Sequence, residues 1–146
     1  MKRLLVLFLL LTSGIQDLSA ADYDDVYLMG WAGVRADSGL QFGGGAGYVF
    51  TDAFGLGAVY EQHASSPSGT VELRWFLEPF ESALGFGLEN RNLSSSDEGY
   101  TPLFTLSADY LFAITPSIAL RGTVKWLIPL KYQAKVFTGV GFRILF

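Results

Sequence analysis

Cysteine is absent from the 146-residue chain, so no disulfide and no thiol contributes to its fold or chemistry. Histidine occurs once, as His63, which is too little for a metal cluster, and no zinc-ligand spacing is present. A spanning helix needs about 20 consecutive apolar residues, and no segment reaches that length. Basic charge is also scarce, with 10 Lys and Arg against 14 Asp and Glu, a net −4. That balance argues against nucleic-acid binding. The glycine-rich Phe42-Gly43-Gly44-Gly45-Ala46-Gly47 lacks the Gly-Lys-Ser/Thr of a phosphate-binding loop. Asp22, Asp24, Asp25 and the Asp97-Glu98 pair lack the spacing and glycine of an EF-hand. No cofactor is expected.

The start of the chain has a distinct character. Met1-Lys2-Arg3 is basic, Leu4 to Leu11 is unbroken apolar sequence, and Ser19-Ala20-Ala21 offers small residues where a signal peptidase cuts. These features predict a secretory signal peptide over residues 1–21 and one domain over residues 22–146. The apolar run is too short for a membrane anchor, and without cysteine a lipoprotein anchor is excluded. Loss of Lys2, Arg3 and Asp17 with the signal leaves eight basic and thirteen acidic residues, a net −5.

Glycine (17 residues), aromatic side chains (15 %) and hydrophobic residues (50 %) are all abundant, yet they are spread over alternate positions. Leu40, Phe42, Ala46, Tyr48 and Phe50 share one parity opposite Gln41, Gly43, Gly45 and Gly47. Phe104, Leu106, Ala108, Tyr110 and Phe112 oppose Thr105, Ser107 and Asp109 in the same way. A period of two is the signature of a strand. By alternation and turn residues, about eight strands are expected, over Val26–Val34, Leu40–Phe50, Phe54–His63, Thr70–Leu77, Ser82–Arg91, Tyr100–Phe112, Ile118–Leu127 and Gln133–Phe146. Apolar content without helical runs predicts an all-β fold, a transmembrane antiparallel up-and-down barrel.

The polar parity decides which face is inside. It carries many glycines, which suit the cramped interior of a small barrel. Glycines and charges are therefore placed in the lumen and the large apolar residues in lipid. Tyr48, Phe50, Phe54, Trp75, Phe80, Tyr110, Phe112 and Phe146 then form one ring of aromatics. Trp31, Tyr60, Tyr100, Trp126 and Tyr132 form a second, as two membrane interfaces require. A soluble, lipocalin-like barrel would invert the faces.

Ten charged residues fall on the lumenal parity: Glu61, Glu72, Arg74, Glu89, Arg91, Asp109, Arg121, Lys125, Lys135 and Arg143. Unpaired buried charge is costly, so a paired network is expected, with Glu72, Arg74, Asp109, Arg121 and Arg143 among its members. Its role is structural in one reading and a gated ion path in another. A barrel of this strand number has no open aqueous channel, which favours the structural reading. His63, with Ser65 and a nearby carboxylate, has the residue types of a nucleophile and base. Its His-x-Ser spacing resembles, loosely, that of an outer-membrane lipid A deacylase, but the serine lies in a Ser-Pro-Gly loop and His63 has lumenal parity. No catalytic residue is assigned.

The last stretch, Gly139-Val140-Gly141-Phe142-Arg143-Ile144-Leu145-Phe146, alternates and stops on an aromatic. It resembles the C-terminal signal of bacterial outer-membrane barrels, with Phe142, Ile144 and Phe146 as the signal residues. With the strand pattern, the mature chain resembles the small outer-membrane barrels of the OmpA/OmpX type. The resemblance implies an integral outer-membrane location, insertion by the outer-membrane barrel assembly machinery, contact with outer-membrane lipids and lipopolysaccharide, and a monomer.

Overall fold

The computed structural model describes residues 25–36, 39–63, 66–91, 99–131 and 133–146, and of Arg91 the backbone alone. The segment expected to be a signal peptide, Asp97-Glu98, Ser65 and Tyr132 lie outside the described residues. Eight strands follow in order: β1 (Val26–Arg35), β2 (Gly39–Thr51), β3 (Phe54–His63), β4 (Ser68–Leu77), β5 (Phe80–Arg91), β6 (Gly99–Thr115), β7 (Ile118–Pro129) and β8 (Lys135–Leu145). Each pairs antiparallel with the next, and β8 pairs with β1, so the sheet closes into a barrel. Beyond the paired strands, the Val26 N–H donates to the Phe146 carbonyl at 3.2 Å and the Phe146 N–H to the Val26 carbonyl at 2.9 Å. Closure matters because backbone groups in hydrocarbon must be satisfied within the protein. The strands have 10 to 17 residues, against the about 9–11 that a tilted strand needs to cross a bilayer.

The two ends of the barrel differ. At one end, β2–β3, β4–β5 and β6–β7 are joined by two-residue turns, at 52–53, 78–79 and 116–117. Two of these turns share a local device. The Thr51 hydroxyl accepts from the Phe54 N–H at 3.0 Å, and the Thr115 hydroxyl from the Ile118 N–H at 3.1 Å. Each threonine sits where the strand register shifts, so its hydroxyl takes a backbone donor beside the broken ladder. The other end carries the longer connections, including residues 92–98.

The faces are opposite to those of a soluble barrel. Leu40, Phe42, Leu56, Val71, Leu84, Phe86, Leu120 and Val140 are exposed on the outside, while Glu61, Glu72, Arg74, Glu81, Asp109, Arg121 and Arg143 are buried in the lumen. An apolar exterior around a charged interior is the arrangement that hydrocarbon solvates. Two outward aromatic pairs sit at the short-turn end: Phe54 meets Trp75 at 6.0 Å and Phe80 meets Tyr110 at 5.3 Å, both edge-on.

Strand β1 departs from the expected facing. Tyr27, Met29 and Trp31 are buried in the lumen, and Val26, Leu28 and Val34 are exposed. Trp31 therefore does not belong to the outer ring of aromatics. Both parities of β1 are apolar, so alternation carries no information there. Volume decides instead. The lumenal face of β2 is Gly43, Gly45 and Gly47, and the three large side chains occupy that space. A methyl group at Gly43 would lie 2.9 Å from the Trp31 indole, and one at Gly45 2.9 Å from the Met29 methyl. Tyr27 covers Gly47 and Gly57, and Phe76 covers Gly55. The lumen is accordingly not wholly polar. Tyr27, Val49, Phe76 and Leu145 near the short-turn end belong to one apolar cluster with Trp31, Val59, Leu103, Leu127 and Phe137.

Several strands also run further than the pattern indicates. β4 begins at Ser68, β5 at Phe80, and β6 reaches Thr115. In each case the neighbouring strand supplies a partner: Ser68 faces Glu61 and Glu89, and Phe80 faces Leu77 and Tyr110. Backbone pairing, not side-chain alternation, sets those ends.

Candidate functional site

The lumenal charges come from seven strands, all but β2, because each carries them on the buried parity. Arg74 of β4 is the hub. Its Nη1 donates to Asp109 Oδ2 of β6 at 2.7 Å and to Glu81 Oε2 of β5 at 3.2 Å, and its Nη2 to Glu72 Oε2 at 3.1 Å. Asp109 Oδ2 also accepts from Arg121 Nη2 of β7 at 2.8 Å. Glu72 Oε1 accepts from Lys125 Nζ at 2.8 Å, and the same ammonium lies 3.2 Å from Glu61 Oε1 of β3. Arg143 of β8 pairs with Glu81 and lies 3.6 Å from Glu78 in the β4–β5 turn. One continuous chain of ion pairs thus runs from Glu78 through Arg143, Glu81 and Arg74, then branches to Asp109–Arg121 and to Glu72–Lys125–Glu61.

Each link lowers the cost of its neighbours. A single charge in this interior would lose several kcal/mol of hydration. A guanidinium shared among three carboxylates, or a carboxylate shared between two cations, recovers much of that loss as charge-assisted hydrogen bonds. Strand β1 contributes from the other side. The Trp31 ring lies 5.0 Å from the Arg121 guanidinium and 5.6 Å from Lys125 Nζ, close enough for cation–π attraction. Met29 Sδ accepts from Arg121 Nη1 at 3.1 Å. Glu78, in the turn, has its carboxyl pushed above the usual range by burial, which the Arg143 charge only partly opposes.

The remaining candidates sit apart from this chain. Glu89 pairs with Arg35 at 3.1 Å near the long-loop end. Lys135 is half-buried at the start of β8, on the lumenal parity. Arg91 closes β5, with its side chain outside the described residues. His63 is buried and faces the lumen at the end of β3. Phe142 and Phe146 are exposed on the outer face of the last strand segment and Ile144 is half-buried there. The Phe142 ring lies 2.9 Å from where a methyl group at Gly30 of β1 would be.

Glu81 and Arg35 are lumenal positions that lie just outside the strands expected from the sequence. Glu81 shares parity with Ala83, Gly85, Gly87 and Glu89, and Arg35 with Gly33. Extending either strand by one residue along its own alternation identifies both. Among the described residues the lumen holds five buried acids (Glu61, Glu72, Glu81, Glu89, Asp109) and five buried bases (Arg35, Arg74, Arg121, Lys125, Arg143). The formal charge of these ten buried groups therefore balances. No group of three or more His, Asp or Glu among the described residues is arranged to hold a metal ion.

No protein-family model matches this sequence, and no curated protein matches it. Solved structures do. The N-terminal β-barrel domain of Pseudomonas aeruginosa OprF superposes with a TM-score of 0.68 at 17 % identity, over 85 % of this chain and 98 % of that one. A de novo designed transmembrane β-barrel gives 0.58 at 19 % identity, over 86 % and 100 % of the two chains. Neisserial surface protein A gives 0.56 at 14 % identity, over 84 % and 97 %. The chain has the fold of eight-stranded outer-membrane barrels.

Proposed function

We propose that this chain is a small, non-enzymatic protein of a Gram-negative-type outer membrane, with a lumen closed by its ion network and a structural or loop-mediated role. The observation that carries this reading is the lumen itself. Its charges are interlocked across six strands and balanced in sign, and large apolar side chains fill the space around them. Such an interior gives rigidity and leaves no continuous aqueous path. Residues 1–21 act in this reading as a cleaved signal peptide. The partners are outer-membrane lipids and lipopolysaccharide, with Phe142, Ile144 and Phe146 presented to the barrel assembly machinery. The inserted protein is a monomer.

Planar-bilayer recording on the reconstituted protein tests the closed lumen, with a flat current expected. Reproducible single-channel steps would instead favour a narrow pore for ions or small solutes, the reading to which the charge-lined interior otherwise points. A lipid A deacylase using His63 and Ser65 is a third reading. The lumenal direction of His63 speaks against it, because the acyl chains of a lipid lie outside the barrel. Deacylation of purified lipopolysaccharide that disappears in His63→Ala would revive it.

A further inference from the structure

A glycine on the lipid side of a strand leaves a gap between its larger neighbours. Gly69, near the long-loop end of β4, is such a position. Its cross-strand partners are Tyr60 in β3 and Leu88 in β5, both exposed on the outer face. A Cβ built at Gly69 would meet nothing nearer than the Val59 carbonyl oxygen, at 4.0 Å. The gap continues along the barrel wall beside Val71 and Phe86 and reaches Tyr100 at the long-loop end. The result is a slot with a backbone floor and apolar or aromatic sides.

We propose that this slot binds one acyl chain of an outer-leaflet lipid and recognises the chain rather than the headgroup. The proposal rests on the membrane reading above and adds a defined site to it. Three observations support the choice of occupant. The slot is cut into the apolar outer face, whose solvent is hydrocarbon, and unfilled space there forfeits dispersion contacts on every side. Its upper rim carries tyrosines, the residues that mark the headgroup level. There the Tyr60 hydroxyl donates to Gln62 Oε1 at 2.5 Å, and half-buried Asn90 adds an amide. A chain can therefore enter from the interface and lie down the wall toward the bilayer centre. Finally, no charged side chain lines the slot, so it offers nothing to select a phosphate.

Photocrosslinking tests this. The protein isolated from membranes is reconstituted in phosphatidylcholine vesicles that contain phosphatidylcholine with a diazirine in its acyl chain. Adducts are then mapped by peptide mass spectrometry. Adducts at Tyr60, Val71 and Leu88 are expected about tenfold above those at the same height on β1 and β8, equivalent to about 1.4 kcal/mol of preference. Gly69→Leu, whose Cβ meets no close neighbour, should reduce them to the level of the rest of the wall. Gly122→Leu, which adds the same bulk on the outer face of β7, should leave them unchanged. Replacing the headgroup of the probe by ethanolamine or glycerol should not alter the pattern. An even distribution of adducts would overturn the slot, as would enrichment that survives Gly69→Leu or follows the headgroup. A disulfide joining two copies of the Leu88→Cys variant in the same vesicles would assign the slot to a second chain and overturn it too. Failure of the protein to float with vesicles would overturn the membrane reading itself, which separates that outcome from the others.

Discussion

On the β1–β2 side, the lumen is filled by Tyr27, Met29 and Trp31 laid against Gly43, Gly45 and Gly47, with charge appearing only at Arg35 near the long-loop end. On the β3–β8 side, carboxylates, guanidinium groups and an ammonium that hold one another share the lumen with Val59, Phe76, Leu103, Leu127, Phe137 and Leu145. The first wall gains its stability from burial and shape, and the second from neutralised charge as well as burial. They meet where Trp31 lies beside Arg121 and Lys125 and where Met29 accepts from Arg121. The contrast shows two ways to fill the same narrow space. Large rings require glycine opposite them. Long charged side chains require partners but tolerate many shapes, because several pairings can share one hub.

The sharpest break in this comparison comes from the hub. Arg74→Met leaves Glu72, Glu81 and Asp109 facing a thioether, and a loss of about 3–5 kcal/mol is expected, read from urea unfolding in vesicles. A loss below 1 kcal/mol would show that the ionic wall contributes no more than surface pairs do. Tyr27→Ala probes the opposite wall, with about 3 kcal/mol expected from the cavity it opens. Here a double-mutant cycle is more telling than the single change. Gly47→Ala should be markedly less harmful in the Tyr27→Ala background, with coupling of about 1 kcal/mol or more. Simple additivity would mean that ring and glycine do not depend on each other.

The junction between the walls should respond more weakly. Trp31→Phe keeps a ring beside both cations but a smaller one, so about 1 kcal/mol is expected in the same unfolding assay. No change would remove the cation–π contact from the account. Smallest of all, Thr115→Val deletes one turn hydrogen bond outside both walls, and a loss of about 0.5–1 kcal/mol should appear. A loss as large as that of Arg74→Met would mean that turn closure, not lumen packing, limits stability.

Strand alternation made the barrel legible, and with it the lumenal position of Glu61, Glu72, Arg74, Asp109, Arg121, Lys125 and Arg143. It worked where one parity was polar and failed where both were apolar. In β1 nothing in the local pattern distinguishes Trp31 from Leu28. The deciding fact lies on another strand, in the glycine row of β2, and a local period cannot contain it. Glu81 and Arg35 were missed for a different reason. Both lie at strand ends next to turn residues, and the extra residues are held by partners on adjacent strands. The pairings among the charges were likewise beyond reach. Parity places a side chain in the lumen, but which cation meets which carboxylate depends on how the strands are staggered around the barrel.

The balance of charge inside the barrel has a consequence for how the chain reaches its fold. A strand that slips by one residue turns its lumenal set toward lipid. For β4 that set includes Glu72 and Arg74, and a basic side chain facing the bilayer centre costs about 2–4 kcal/mol. A barrel lacking β8 would leave Glu81 and Glu78 without Arg143. The ion chain therefore acts as a test of completeness. Misaligned and unfinished sheets carry uncompensated charge in a medium that penalises it, while the closed, correctly staggered barrel is the arrangement in which these charges meet.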